Sequence, residues 1–163
     1  MKYIKLKILP KYFLLLLLII LIFIVYISAE SNIIIITIKG KGNQHILNNK
    51  TIDNFYFNNT PSTILVNGIT QNYTGFIVYN LTKQQNIITI KWNYTFINCN
   101  LMFYNLSNIT KIDLSQFNSS KVINMNYMFY NCTSLSSLNL NNFNTSLVTH
   151  MNYMFYIVLH YYF

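Results

Sequence analysis

The chain has 163 residues with no Arg, eleven Lys and three acidic residues, Glu30, Asp53 and Asp113. Charged residues make up 9%, far below the roughly 25% usual for soluble domains. With two Cys and three His that leaves little from which to build a catalytic centre, and no enzyme activity, cofactor or metal site is expected. Four of the Lys precede residue 12, and the seven beyond residue 30 form no cluster, so the formal charge of +8 does not make the basic patch a nucleic-acid partner requires.

Residues 1–11 (MKYIKLKILPK) are a basic leader and residues 12–27 (YFLLLLLIILIFIVYI) are wholly apolar, followed by Ser28-Ala29-Glu30. A basic region, an apolar run and a small residue before polar sequence describe a secretory signal peptide. Residues 1–29 are therefore expected to be a signal peptide cut after Ala29, or else a retained membrane anchor. The sixteen-residue run lies between a signal core and a span of about 20 residues. Either way the remainder is expected at the cell surface or secreted, anchored to the membrane if the segment is kept.

Residues 30–90 read as a β-rich segment. Short β-branched runs at Ile33–Ile38, Thr63–Val66, Gly75–Tyr79 and Ile87–Ile90 are separated by Gly, Pro and Asn. Asn67-Gly68, set between apolar residues, is a hairpin signal because both positions tolerate φ > 0. Asn-x-Ser/Thr sequons begin at Asn49, Asn58, Asn72, Asn80, Asn93, Asn105, Asn108, Asn118, Asn131 and Asn144. In an exported chain each is a possible glycan acceptor, although many arise by chance where Asn, Ser and Thr are this common.

Residues 91–156 are repetitive. Met-Phe recurs at Met102-Phe103, Met128-Phe129 and Met154-Phe155, twice at a spacing of 26. Residues 102–127 match 128–153 at twelve positions, and fixed self-similarity at 20–50 residues marks an array whose units bury their apolar faces on one another. Within a unit, Ile112 and Leu114, like Leu138 and Leu140, alternate as a short strand, with Phe117 or Phe143 three residues later. Val122, Met125, Phe129 and Cys132 fall at i, i+3, i+7 and i+10, one face of a helix, with Asn118 and Asn144 placed as N-caps. The expected fold is therefore α/β, a short leucine-rich-repeat solenoid of strand–turn–helix units behind the β-rich segment and an apolar N-terminal helix. Its core is expected to add Leu135, Val148 and Met151 to the residues just named.

The string NMNYMFYNCTSLSSLNLNNFNTSLVTHMNYMF resembles the BspA-type leucine-rich-repeat surface proteins. The resemblance covers about residues 90–156, with Leu106 standing where Cys132 and the family's Cys would be. It implies an exported, non-catalytic protein engaged in adhesion or in binding an extracellular protein or glycan, with many more units than are seen here. A single-pass membrane protein with a non-functional extracellular stub is the alternative.

Cys132 shares a slot with Leu106 and is expected in the core rather than in a disulfide with Cys99. His45, His150 and His160 are isolated, and Asp113 aligns with Asn139, which points to a turn rather than to acid–base chemistry. The repeat predicts Asn-Cys-Thr-Ser-Leu after Tyr156, but the chain reads Ile157-Val158-Leu159-His160-Tyr161. Deleting one A from AAT TGT ACT TCA TTA leaves ATT GTA CTT CAT TA-, the codons for the first four of these residues and the first two bases of a Tyr codon. Residues 157–163 are thus expected to be a frameshifted tail that truncates a longer array.

Overall fold

The computed structural model describes residues 10–27, 32–48, 59–71 and 78–158. They form two units, Met1–Glu30 and Ser31–Phe163. The first contains α1, Pro10–Ile27, apolar apart from its first turn, with Leu14–Leu21 each about half exposed or more. At about 1.5 Å per residue its 18 residues reach about 27 Å, short of a hydrocarbon core of about 30 Å. Among the described residues no helix is long and apolar enough to cross a membrane. The cleavage position after Ala29 lies outside the described residues.

The second unit is built on β1 (Asn32–Lys39), β2 (Gly42–His45), β3 (Thr63–Val66), β4 (Ile69–Gln71), β5 (Val78–Leu81), β6 (Gln85–Trp92), β7 (Ile109–Asp113) and β8 (Ser137–Asn139). Six strands make one mixed sheet in the order β4-β3-β6-β1-β7-β8, and β2 pairs with β5 apart from it. Every pair is antiparallel except β7 with β8. Asn67 and Gly68 adopt φ of 50° and 85° between Val66 and Ile69, the conformation that joins β3 to β4 in the tightest hairpin.

β1 explains why the repeats and the segment before them are one body. Its alternate residues Ile34, Ile36 and Ile38 are fully buried, as the two-residue period of a strand requires. It pairs with β6 on one side and with β7, the strand of the first repeat, on the other. β6 runs through the boundary expected near residue 90. Buried Asn32 ties the same junction, its Nδ2 donating to the Tyr94 carbonyl at 2.6 Å and its Oδ1 accepting from the Asn118 N–H at 2.6 Å.

The α/β class and the helical half of the repeat are overturned. Among the described residues the second unit contains no helix, so a helix-backed solenoid is not what these repeats build. Residues 98–106, 124–132 and 150–158 are instead runs of turns, laid side by side at a spacing of 26. The N–H groups of Met102, Tyr104 and Leu106 close turns onto the carbonyl three residues back, and Met128, Tyr130 and Cys132 repeat the pattern. Cys99, Leu101, Phe103 and Asn105 donate to the next run, as do Met125, Tyr127, Phe129 and Asn131. An α-helix would use all of these N–H groups internally, whereas here alternate ones bind the neighbouring run. Tyr127 and Asn131, both at φ of 55°, lie outside helical winding. Asn118 and Asn144 cap turns rather than helices, accepting from the N–H of Ser120 and Ser146 at 3.0 and 2.8 Å.

Burial follows position in the stack. Met102, Phe103, Ile112, Leu114, Phe117, Val122, Met125, Met128, Phe129, Cys132, Leu135 and Met154 are buried, and Leu138, Phe143 and Val148 pack against them. Leu140, Met151 and Phe155 are 39%, 44% and 49% exposed, although their counterparts Leu114, Met125 and Phe129 are sealed. No further run of the described residues lies over these last three.

Candidate functional site

The turn runs place successive side chains on opposite sides, and the spacing of 26 then stacks like on like. On the inner side Phe103, Phe129 and Phe155 form a column with ring centroids 5.6 and 5.4 Å apart and planes within 7° and 11°. On the outer side Tyr104, Tyr130 and Tyr156 stack at 5.0 and 5.2 Å, and Tyr127 stacks on Tyr153 at 5.2 Å. These distances follow from the spacing of adjacent hydrogen-bonded chains, about 4.7–4.9 Å. Tyr153 and Tyr156 are 57% and 50% exposed, so the column presents tyrosine to solvent.

Asparagine amides run alongside. The Nδ2 of Asn131 donates to Asn105 Oδ1 at 2.6 Å, and Asn126 Oδ1 accepts from the Asn152 N–H at 2.7 Å. Of the sequon residues, Asn49, Asn58 and Asn72 lie outside the described residues. Asn80, Asn93, Asn105 and Asn144 are exposed, while Asn108, Asn118 and Asn131 are half-buried. Asn108, Asn118, Asn131 and Asn144 use their amides in the fold. A glycan on Asn131 would replace one of the hydrogens by which its amide holds the ladder.

Next to the first tyrosine is a cavity of about 260 Å³ lined by Gln44, His45 and Asn48 on one side and Tyr104–Asn108 on the other. Among the described residues no carboxylate or ammonium group lines it, and the imidazole of His45 does. Gln44 is fixed at both ends of its amide, Nε2 donating to the Lys41 carbonyl at 3.0 Å and Oε1 accepting from Asn108 Nδ2 at 2.8 Å. The Asn48 N–H donates to the Met102 carbonyl at 3.0 Å, which anchors this wall to the first turn run. A second, apolar cavity of about 300 Å³ opens beneath the last run, between Leu135–Leu138, Phe155 and Val158.

Few groups here are tuned for proton transfer. Burial pushes the Cys99 thiol up, and Cys132 is raised to about 12 by burial, opposed by a backbone hydrogen bond. Both cysteines are free and buried, so the disulfide is not formed. Cys132 Sγ donates to the Phe103 carbonyl at 3.1 Å, filling its slot as a core residue. Tyr104 is raised by burial first and then by Tyr130 and Tyr127 beside it. Asp113 is lowered chiefly by its hydrogen bonds with Ser115, helped by Asn139 Nδ2, and its Oδ1 caps a turn at the Ser115 N–H, 2.8 Å away. No three His, Cys, Asp or Glu among the described residues stand close enough to hold a metal ion. Asp53 and His160 lie outside the described residues.

The arrangement can hold a ligand by hydrogen bonds and ring contact. Sequence reasoning located the aromatic columns only as core. The tyrosine half could have been found from Met-Phe-Tyr itself, since adjacent residues of an extended or turning chain point to opposite sides. The cavity could not, because Gln44 and Asn108 are 64 residues apart and meet through a side-chain hydrogen bond that no local pattern announces.

No curated protein and no solved structure matches the chain. A family match extends over residues 73–161, from just ahead of β5 through both repeat units and more than half of the 163 residues. The chain belongs to the family described as Mycoplasma protein of unknown function, DUF285.

Proposed function

We propose that the chain is an exported cell-surface protein that mediates adhesion by binding an extracellular protein or glycan, without catalysis. The observation that carries this reading is the outer tyrosine column, Tyr104, Tyr130 and Tyr156, with Tyr127 and Tyr153 beside it. Tyrosine offers a large, rigid and amphipathic contact at low entropic cost, and it is enriched at the core of recognition interfaces. Stacking fixes these rings before any partner arrives, which reduces the ordering cost of association. The basic leader and apolar run support export, and the resemblance of the repeats to surface proteins supports display.

The test compares cells displaying the full chain with cells displaying Tyr153→Ser/Tyr156→Ser, on immobilised extracellular-matrix proteins and glycans. Both positions are half exposed, so the change costs little burial. Attachment to at least one coating is expected, weakened about tenfold in the variant as for loss of an interface hot spot, at equal surface level. Attachment no greater than that of cells lacking the chain would refute adhesion and favour a stub with no function of its own.

A further inference from the structure

We infer that the cavity between Gln44–Asn48 and Tyr104–Asn108 is a subsite for one ring of a neutral saccharide. The inference rests on the surface-binding reading and gives that reading a ligand class.

Size comes first. At about 260 Å³ the cavity falls just below the range of about 300–1,000 Å³ that encloses drug-sized ligands, so it accepts a single ring rather than a nucleotide or a folded peptide. Chemistry narrows it further. Among the described residues no ammonium group is there to pair a phosphate or carboxylate, and the His45 imidazole in the lining is exposed to water, so burying such an anion is unfavourable. A purely apolar ligand would cover amides and leave their hydrogen bonds unmade. A pyranose avoids both penalties, having hydroxyl groups that donate and accept around its rim and a C–H face that packs on an aromatic ring.

The cavity offers matching groups. One face of Tyr104 lies on Tyr130 at 5.0 Å, and Tyr127 meets it edge-on at 6.4 Å. No ring among the described residues covers its other face. Asn105 Oδ1 is taken by Asn131 and Asn108 Nδ2 by Gln44, which leaves Asn105 Nδ2 as a donor and Asn108 Oδ1 as an acceptor. The exposed Ser107 hydroxyl supplies both. Because Gln44 is held at both ends of its amide, this wall is already set before a ligand enters. The cavity also opens at the start of the tyrosine column, so further sugars of a longer glycan can continue along it.

The test is saturation-transfer NMR on the full chain in a non-glycoside detergent. The probes are glucose, galactose, mannose, N-acetylglucosamine and N-acetylgalactosamine, against glucuronic acid and N-acetylneuraminic acid. Transfer to at least one neutral sugar is expected, concentrated on the C–H protons of one ring face. Binding should fall about tenfold in Tyr104→Leu, as for loss of a recognition hot spot, and disappear in Ser107→Trp, where the new side chain fills the cavity. Ser107 is exposed, so that variant keeps the question decidable if Tyr104→Leu unfolds. No transfer to any neutral sugar, preference for the acidic ones, or undiminished transfer in Ser107→Trp overturns the inference. A displayed chain that attaches cells but binds no sugar sinks this inference alone. One that binds sugar yet never reaches the surface sinks the surface reading alone.

Discussion

Asn105, Asn131 and Ile157 occupy the same place in successive turn runs and share φ of 60°, 55° and 56°. Asparagine tolerates this left-handed conformation, whereas a β-branched side chain there is strained by about 1–2 kcal/mol. Ile157→Asn should therefore stabilise the unit by about 1 kcal/mol and raise its thermal midpoint by roughly 4 °C, extending the amide ladder from Asn131. An unchanged or lower midpoint in a thermal melt would refute that assignment of strain. At Asp113 the folded carboxylate has a lowered pKa, so its contribution is complete above the ordinary carboxylate range and is lost as pH falls through the folded value. Asn139 caps the equivalent turn by accepting from the Asn141 N–H at 3.0 Å, so an amide does the same work. Melts of the native chain and Asp113→Asn at pH 7 and pH 3 should show their difference moving in favour of the variant at acid pH.

At the scale of the element, the sequence carried the period and most of the buried positions but not the backbone conformation. Val122, Met125, Phe129 and Cys132 are all buried, as a helical face requires. A run of turns closing every third or fourth residue gives the same pattern. What separates the two is which N–H groups point sideways, and that depends on a neighbouring run absent from any local window. The signs of left-handed residues were present in Asn105 and Asn131, yet Tyr127 at φ 55° carries no such signal. A pair of substitutions distinguishes the conformations. In a helix Asn131→Ala would be more stable than Asn131→Gly by about 1 kcal/mol, but at φ 55° the order reverses, and chemical denaturation of the two variants reads the sign directly. The inner column also has a clear cost. Phe129 is fully buried between Phe103 and Phe155, so Phe129→Ala should lose about 3–5 kcal/mol, measurable as a shift in denaturation midpoint at unchanged slope.

For the whole molecule, β1 decides the architecture. The strands around Ile33, Thr63 and Ile87 and the hairpin at Asn67-Gly68 were legible because alternation and turn chemistry are local. Insertion of β1 between β6 and β7 was not, since it pairs residues such as Ile36 with both Ile88 and Ile112. Residues 91–163 expressed alone would lose that strand and expose the edge of β7 beside the buried Ile109 and Ile112, and an uncovered apolar strand edge promotes aggregation. They are expected to be insoluble or to melt without a cooperative transition, and a sharp monomeric transition would contradict the role given to β1. Adhesion requires the second unit to lie outside the cell. Lys39, Lys41, Lys83, Lys111 and Lys121 are all exposed, so a membrane-impermeant amine reagent applied to intact cells can report their side of the membrane by peptide mass spectrometry. Surface display predicts modification of Lys111 and Lys121 before lysis. Modification of these residues only after lysis would contradict it.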